Sequence, residues 1–348
     1  SLCRPNIDYN PLLNIAKLYM KGIYVKKDHS KAIQIYKFAA QFKNSYSMVE
    51  LGDYYLKGIG GITNFSIAKK YYELAAEENN STAIMNLAIM YQKGIGMSKD
   101  YLKAKEYYER AAKENNPIAI YNIGVFYEQG LGVDQNYLKA KEYYKMAAKL
   151  NYSEAFVNLG NLYFHGNGVK RDYLKAIKYY ELSSELNNAI GLLCLGNIYF
   201  YGYGIKPDYE VARYYFEKAA KLNNTMAIFN LGMIYFYGYG VKKDYSRAKQ
   251  FFEIGAKEKH TRSLLFLGIC YYTGRGVEVD FLKCKNYLEL ILDKDSFACL
   301  LLGNIYQYGK GVERDICSAI KYYEMAAKQN NSNAFINLGR IYENGFDV

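Results

Sequence analysis

The sequence predicts an all-α protein, an α-solenoid of about nine to ten helix–turn–helix repeats of 36 residues. The first observation behind this class is a small residue that returns every 36 positions, with one step of 35. A turn with two glycines and a pair of alanines return with the same period. Because a unit this short cannot bury its apolar face alone, neighbouring units must stack. The small residues are Ala16, Gly52, Ala88, Gly124, Gly160, Gly196, Gly232, Gly268, Gly303 and Gly339.

The first helix of each repeat, helix A, is predicted from apolar spacing. In the third repeat, one helical face carries Ala83, Leu87, Ala88, Met90 and Tyr91. A two-glycine turn follows, since glycine adopts positive φ without steric cost. We expect helix A to end at the pairs Gly58/Gly60, Gly94/Gly96, Gly130/Gly132, Gly166/Gly168, Gly202/Gly204, Gly238/Gly240, Gly274/Gly276 and Gly309/Gly311.

The second helix, helix B, begins after a capping residue such as Asp100, whose carboxylate can accept a backbone N–H at the start of the helix. Asn115–Asn116 then closes the helix, because Asn tolerates the left-handed conformation. Its buried stripe comprises Ala104, Tyr107, Tyr108, Ala111 and Ala112. Equivalent caps are Asp28, Asn64, Asn136, Asp172, Asp208, Asp244, Asp280 and Asp315, and equivalent small residues are Ala32, Ala68, Ala140, Ala176, Ala212, Ala248, Cys284 and Ala319.

Some repeats depart from this pattern. The first has Gly22-Ile23-Tyr24 in place of the two-glycine turn, and Ser183–Ser184 replaces one pair of alanines. Ile291–Leu292 replaces another pair in the unit that is one residue short. We therefore expect a local change of curvature near residues 285 to 300. The last unit stops after one helix, at Gly345.

The repeated phrase A-x-x-N-L-A/G-x-x-Y-x-x-G-x-G, followed by D-Y-x-K-A-x-x-Y-Y-x-x-A-A, resembles the Sel-one-like repeat, a longer relative of the tetratricopeptide repeat. The resemblance covers nearly the whole chain. It implies a right-handed superhelix with helix A on its concave side, and an adaptor or scaffold role in place of catalysis. We expect one domain over residues 1–348, with units at about 5–40, 41–76, 77–112, 113–148, 149–184, 185–220, 221–256, 257–292, 293–327 and a partial 328–348.

Composition places the chain in an ordinary class and predicts its surroundings. With 51% apolar and 23% charged residues, and no apolar run near the length of a membrane span, we expect no membrane helix. Residues 1–10 lack a signal-peptide pattern, and the missing initiator Met indicates a fragment or a processed chain. Six cysteines do not follow the repeat, which favours free thiols, with a Cys270–Cys284 bridge as the alternative. These features predict a cytoplasmic protein, in the host's cytoplasm if it is viral or an effector.

The motifs that would indicate catalysis or a cofactor are structural in this context. The GxG turns do not follow strands, and no GxGxxG or phosphate-binding loop occurs. His29, His165 and His260 lie in different repeats without the spacing of a zinc site. The periodic Asp residues are expected to lie too far apart for paired carboxylate catalysis. No Ser or Cys has a recognisable His partner, so we expect no enzyme activity, no cofactor and no metal.

The chain carries a net charge of +11, and basic residues recur in the turns between helices A and B. This excess has two readings, an anionic partner or a Lys-rich genome composition. RNA docking is the nucleic-acid alternative for the turns, and solvated loop charge is the simpler reading. The basic residues are Lys26, Lys27, Lys99, Lys170, Arg171, Lys206, Lys242, Lys243 and Arg314.

The face of helix A opposite the core is the predicted binding surface for a peptide or protein segment. An Asn ladder on this face could bond both backbone groups of an extended peptide, or could bond a neighbouring helix. From residue 164 onward the ends of helix A become rich in Tyr, a residue favoured in binding surfaces, although loop-against-loop packing would also explain it. The predicted contact residues are Asn86, Asn122, Asn158, Asn161, His165, Asn197, Tyr201, Tyr203, Asn230, Met233, Tyr237, Tyr239, Phe266, Tyr272 and Tyr308.

Overall fold

The computed structural model describes residues 10–61, 63–343 and 345. Residues 1–9, which include Cys3 and nearly all of the segment that lacks a signal-peptide pattern, lie outside the described residues. In the described part, the regular structure is helical throughout, with nineteen α-helices and one 3-10 turn at Ile59–Gly61. The predicted all-α solenoid is therefore confirmed. The chain divides after Asp172 into two compact units.

The first unit contains five copies of helix A and four of helix B. The helix-A copies are α1 (Asn10–Lys21), α3 (Ser45–Lys57), α5 (Ser81–Lys93), α7 (Pro117–Gln129) and α9 (Ser153–His165). The helix-B copies are α2 (His29–Gln41), α4 (Phe65–Glu77), α6 (Tyr101–Lys113) and α8 (Tyr137–Lys149). Within this unit, successive helices from α1 to α9 pack on one another, so the core runs from hairpin to hairpin.

The second unit begins with helix B and continues with the same alternation. Its helix-B copies are α10 (Tyr173–Glu185), α12 (Tyr209–Lys221), α14 (Tyr245–Lys257), α16 (Phe281–Glu289) and α18 (Ile316–Lys328). Its helix-A copies are α11 (Ala189–Tyr201), α13 (Thr225–Tyr237), α15 (Thr261–Thr273), α17 (Ser296–Tyr308) and α19 (Ser332–Glu343). Successive helices again pack in chain order.

Polar caps define the helix starts. The predicted caps of helix B accept a backbone N–H from the first turn at Asp28, Asn64, Asp100, Asn136, Asp208, Asp244, Asp280 and Asp315. Asn115–Asn116 was predicted to close helix B as a pair, and this is half right. Asn115 has a left-handed φ of 54°, but Asn116 caps the next helix A by accepting the N–H of Ala119. One dipeptide therefore ends one helix and starts the next.

The periodic small residue allows an aromatic ring of helix B to lie against the backbone of helix A. At Gly232, an added Cβ would come within 2.4 Å of the Phe252 ring, which is too close for any other residue without rearrangement. The ring of Phe252 is fully buried as a result. The same close approach of an aromatic ring explains the glycine at Gly52, Gly124, Gly196 and Gly303.

Two irregular repeats take the shapes their sequences require. Tyr24 adopts a positive φ of 62° where the other repeats have their second turn glycine. Helix α16, where Ile291–Leu292 stands in place of the paired alanines, ends at Glu289 after nine residues, whereas the helices B on either side run for 13. A turn then leads to Asp295, which caps α17. The structure shows an early helix end in this segment, and the change of curvature expected near residues 285 to 300 stays a prediction.

Candidate functional site

A cavity of about 330 Å³ lies on the helix-A side of the second unit, among α11, α13, α15 and the start of α17. Five of the predicted contact residues meet in it, namely Tyr201, Asn230, Met233, Tyr239 and Phe266. The rest of its lining is Phe200, Phe229, Arg262, Leu265 and Asp295. The volume is at the lower end of the range for ligand pockets, which suits a few side chains of a partner.

Aromatic rings that pack edge to face form the wall of the cavity. The ring centre of Phe266 lies 5.6 Å from that of Phe229 and 5.4 Å from that of Phe236. Phe200 and Tyr239 are likewise 5.1 Å apart, nearly perpendicular. Rings locked by one another lose little freedom when a partner binds, so the cavity is organised in advance.

A paired exchange at facing positions of helices A and B accompanies the aromatic rings of this region. In three other repeats, a buried Tyr of helix B donates its hydroxyl to the facing position of helix A, as Tyr108 does to Gln92 at 2.6 Å. Tyr144 with Glu128, and Tyr323 with Gln307, repeat this bond. In the cavity region both partners are Phe, in the pairs Phe200–Phe216 and Phe236–Phe252, with ring centres 6.3 and 6.1 Å apart. Removing the hydroxyl removes the need for a polar acceptor on helix A.

The tyrosines at the ends of α11 and α13 expose part of their rings. Tyr201 is 61% exposed and Tyr237 is 42% exposed. Each contacts the Tyr of the following turn, with ring centres 5.6 Å apart for Tyr201 and Tyr203 and 5.7 Å for Tyr237 and Tyr239. Tyr239 also lies 5.4 Å from Tyr209 on the preceding helix B, α12. Loop packing and an exposed aromatic surface therefore coexist at these residues.

The C-terminal members of the predicted tyrosine patch lie outside the cavity. Tyr272 is half-buried, and its hydroxyl accepts a hydrogen bond from Nζ of Lys310 at 2.8 Å. The same Nζ lies 4.6 Å from the Tyr272 ring centre. Tyr308 is 63% exposed at the end of α17. Both of these rings lie beside Lys310.

The Asn ladder makes hydrogen bonds between successive copies of helix A. The amide Nδ2 of Asn230 donates to Oδ1 of Asn197 at 3.1 Å, and that of Asn86 donates to Asp53 at 3.4 Å. Asn337 repeats the bond with Asn304. Each pair is separated by 33 residues, so the bond belongs to the repeat itself. It uses one of the two N–H donors of each amide, and contact of these amides with a partner stays a prediction.

The predicted residues of the first unit do not gather in one cavity. Nδ2 of Asn122 donates to the Ile118 carbonyl of its own helix at 2.8 Å. Asn158 donates to the Tyr121 hydroxyl at 3.3 Å and to Glu128 at 3.4 Å. Asn161 is half-buried on α9, and His165 is exposed at its end. The site of interest is therefore the cavity of the second unit.

Sequence reasoning missed the cavity's two charged residues, Arg262 and Asp295. Arg262 is the one charged side chain within α11, α13, α15 and α17, and that exception is visible in the sequence. Asp295 occupies the N-cap position where Asn44, Asn80 and Asn224 serve other copies of helix A. Phe200, Phe229 and Leu265 were missed because the repeat pattern does not distinguish cavity walls from core.

The titratable groups give no indication of a reaction centre. Burial raises the pKa of the Cys270 thiol to about 11 and that of Cys284 to about 12, so both are protonated and weakly nucleophilic at neutral pH. These two thiols and those of Cys194, Cys299 and Cys317 are free. Within residues 10–61, 63–343 and 345, no three His, Cys, Asp or Glu side chains are arranged to hold a metal ion.

Stacked helical hairpins with a small-residue period define a repeat protein of the α-solenoid class. A model of the Sel1 repeat family matches residues 12–41, 45–80, 81–116, 117–152, 153–188, 192–224, 225–260, 261–295 and 296–331. The chain therefore belongs to the Sel1 repeat family. Members of this family generally act as protein-interaction scaffolds and are generally non-catalytic.

Two solved structures illustrate the likeness. A Sel1 repeat protein from Oxalobacter formigenes is 31% identical over 72% of this chain and 100% of its own, with a TM-score of 0.64. A protective antigen of uropathogenic Escherichia coli with an SLR fold is 25% identical over 98% of this chain and 81% of its own, with a TM-score of 0.58. No curated protein matches the chain. Among the described helices, none combines the length and apolar character needed to cross a membrane.

Proposed function

We propose that this chain is a non-catalytic scaffold that binds a peptide or protein segment on the helix-A face of its second unit. The observation that carries the proposal is the preformed aromatic cavity among α11, α13 and α15. It offers apolar walls, a half-buried Met233 and one amide, Asn230, whose second N–H can bond a peptide backbone. Anchor side chains in such pockets supply most of the binding energy in protein interfaces.

The composition of the face supports a peptide as the occupant. Tyr201 and Tyr239 combine apolar area with a polar hydroxyl, and Met233 has a flexible thioether that adapts to varied partners. A peptide needs such a surface along several helices, and successive copies of helix A supply it at regular spacing. The exposed Tyr237 and Tyr308 would extend the contact beyond the cavity.

The test uses randomised dodecapeptides displayed on phage and selected against the full chain. A synthetic copy of an enriched peptide is then titrated by fluorescence anisotropy against wild type and Met233→Arg. Since the new charge would enter an apolar cavity, we expect at least about a tenfold loss of affinity, or about 1.4 kcal/mol. Arg occupies the same repeat position naturally at Arg340, so the helix accepts it.

The matched control is Ile89→Arg, at the equivalent half-buried position of α5 in the first unit. It should leave affinity within about twofold, because it introduces the same charge away from the cavity. Equal losses in both variants, with melting temperatures unchanged, would contradict the proposed site.

The nucleic-acid alternative is an outcome of the same set of measurements. Single-stranded RNA held by the exposed turn residues Lys206, Lys242 and Lys243 would lose affinity with salt, by roughly 20-fold between 50 and 200 mM if each lysine neutralises one phosphate. A peptide anchored in the aromatic cavity should show a shallow dependence. Tight RNA binding with the same affinity for wild type and Met233→Arg would favour the basic turns over the cavity as the binding site.

A further inference from the structure

The first four copies of helix A in the second unit are almost free of charge. α11, α13 and α17 contain no Asp, Glu, Lys or Arg, and α15 contains Arg262 alone. By contrast, α3 of the first unit carries Glu50, Asp53 and Lys57. Arg262 has no other charged side chain on α15 to pair with. Its charge is therefore available to a partner that approaches this surface.

Arg262 lies in the lining of the aromatic cavity. Its side chain is exposed, and it makes no ion pair with any residue that the structure describes. A guanidinium offers five N–H donors in a planar fork that fits a carboxylate. An unpaired Arg at the edge of an apolar cavity is the arrangement of an interface anchor.

Asp295 is the acidic residue in the cavity lining, and its carboxylate already caps α17. Its Oδ1 accepts the backbone N–H groups of Phe297 and Ala298 at 2.9 and 3.0 Å, where it caps α17. The capping of α17 therefore explains an Asp at this position, and no bound molecule is needed to account for it. No equivalent bond among the described residues accounts for Arg262.

The turns at the opposite ends of these helices are balanced in charge. Between the two turn glycines, the earlier repeats of this unit have Tyr203 and Tyr239, whereas the later ones have Arg275 and Lys310. Across residues 202–208, 238–244, 274–280 and 309–315, six Lys or Arg residues are matched by six Asp or Glu residues. The charge that distinguishes this face is therefore Arg262 in the cavity lining.

From this charge pattern we infer that the occupant of the cavity is an acidic–apolar peptide segment, with apolar side chains against the aromatic wall and an Asp or Glu carboxylate paired with Arg262. This inference rests on the proposed function and specifies the partner's chemistry. Apolar burial anchors the segment, and the carboxylate fixes its register through charge-assisted hydrogen bonds.

The experiment extends the displayed-peptide selection to Arg262→Gln. Peptides enriched on wild type should carry Asp or Glu beside apolar residues, and those enriched on Arg262→Gln should keep the apolar residues and lose the acidic bias. One enriched peptide is then synthesised with its acidic residue and with Gln in its place, and both are titrated against both proteins. We expect Arg262→Gln to weaken the acidic peptide about tenfold and the Gln peptide less than about twofold.

Asp295→Asn is the matched control, since Asn caps other copies of helix A and the change removes the second charge of the cavity. It should leave the acidic peptide bound as tightly as before, or more tightly. A loss on Asp295→Asn with none on Arg262→Gln would mean a cationic occupant and would overturn the inference. Enrichment of peptides without an acidic bias on the wild-type protein would also overturn the inference. Failure of the proposed function is a different result, either no enrichment at all or binding unaffected by Met233→Arg.

Discussion

At the scale of single residues, Tyr24 shows how strongly the repeat imposes its backbone. Its φ of 62° is left-handed, a conformation that costs a non-glycine residue about 1–2 kcal/mol. Its side chain is 96% exposed, so the ring returns little packing energy. The packing of the two flanking helices thus sets the geometry of the turn, and Tyr24 adopts the left-handed conformation that this geometry requires.

Replacing Tyr24 by Gly should therefore stabilise the protein. We expect a gain of about 0.5–1 kcal/mol in the free energy of unfolding, because the relief of the left-handed cost exceeds the added entropy of Gly in the unfolded chain. Urea denaturation measures this gain. Tyr24→Ala keeps the left-handed cost and is the control, expected to change stability by less than about 0.5 kcal/mol. A destabilised Tyr24→Gly would show that the ring makes contacts of value.

The exposed tyrosines should separate binding from stability. Tyr201→Ala and Tyr237→Ala should each leave the melting temperature within a few degrees, because much of each ring is already in water. Both should weaken a peptide that binds the cavity. Tyr235→Ala, in the same helix as Tyr237 but fully in the core, should cost about 3–5 kcal/mol. Large destabilisation by Tyr201→Ala, measured by scanning fluorimetry, would place that ring in the core as well.

The burial of a residue could be predicted from the sequence wherever the same kind of residue recurs at its position in successive repeats. The buried Ala83, Leu87 and Met90 were found because apolar period and burial coincide. The second role of Asn116 was missed, because capping depends on which helix the side chain faces, and one sequence position adjoins two helices. The bond from Asn230 to Asn197 was left open for the same reason, since an amide suits both a neighbouring helix and a ligand.

At the scale of helices, the paired exchange of Tyr and Phe can be tested as a double-mutant cycle. Phe252 lies against Phe236 and Phe266, with no polar acceptor among these rings. Phe252→Tyr should cost about 1–3 kcal/mol, because it buries an unsatisfied hydroxyl. Adding Phe236→Gln supplies the acceptor found at Gln92, so the double variant should be more stable than the sum of the two losses by at least about 1 kcal/mol.

The control for this cycle lies in the first unit, where Tyr108→Phe removes a hydroxyl that already has its acceptor. It should cost about 0.5–1.5 kcal/mol, the ordinary loss of one hydrogen bond. Strict additivity of Phe252→Tyr and Phe236→Gln in thermal unfolding would show that the two positions exchange independently.

The helix caps predict how stability depends on acidity. A backbone hydrogen bond from Lys283 holds the pKa of Asp280 below its usual value, and the Ser318 hydroxyl does the same for Asp315. A carboxyl with a lowered pKa in the folded state stabilises the fold above its unfolded pKa, and this contribution is lost as the pH falls through the folded value. The melting temperature should therefore decline below about pH 4. The double variant Asp280→Asn and Asp315→Asn keeps both caps and should show a smaller decline, and an identical decline would contradict this role.

Among whole elements, the sequence predicted helices and their order well, because each is specified by a period, a turn and a cap together. The early end of α16 at Glu289 was not predicted, since the sequence indicated a local change of curvature and not a shortened helix. Ile291 is still buried there, so an apolar residue fills the core from a turn. A pattern of apolar positions cannot distinguish these two ways of burying one side chain.

At the scale of the whole molecule, helices contact mainly their neighbours in sequence within each unit, so stability should be distributed along the chain in local steps. Hydrogen exchange followed by mass spectrometry should show strong protection in α11 to α14 and a minimum across residues 286–295, where α16 ends early. Uniform protection through residues 281–308 would contradict this expectation. The cavity itself could not be predicted at this scale, since it forms where unlike side chains of three repeats meet.

The central claim is that the aromatic cavity of the second unit holds the partner, and crosslinking from one residue tests it most directly. A photoreactive phenylalanine analogue replaces Tyr201, in the cavity, or Tyr214, which is 51% exposed on helix B. After illumination with an enriched acidic–apolar peptide, the account predicts a covalent adduct from position 201 and none above background from position 214. Equal adducts from both positions, or an adduct from position 214 alone, would contradict it.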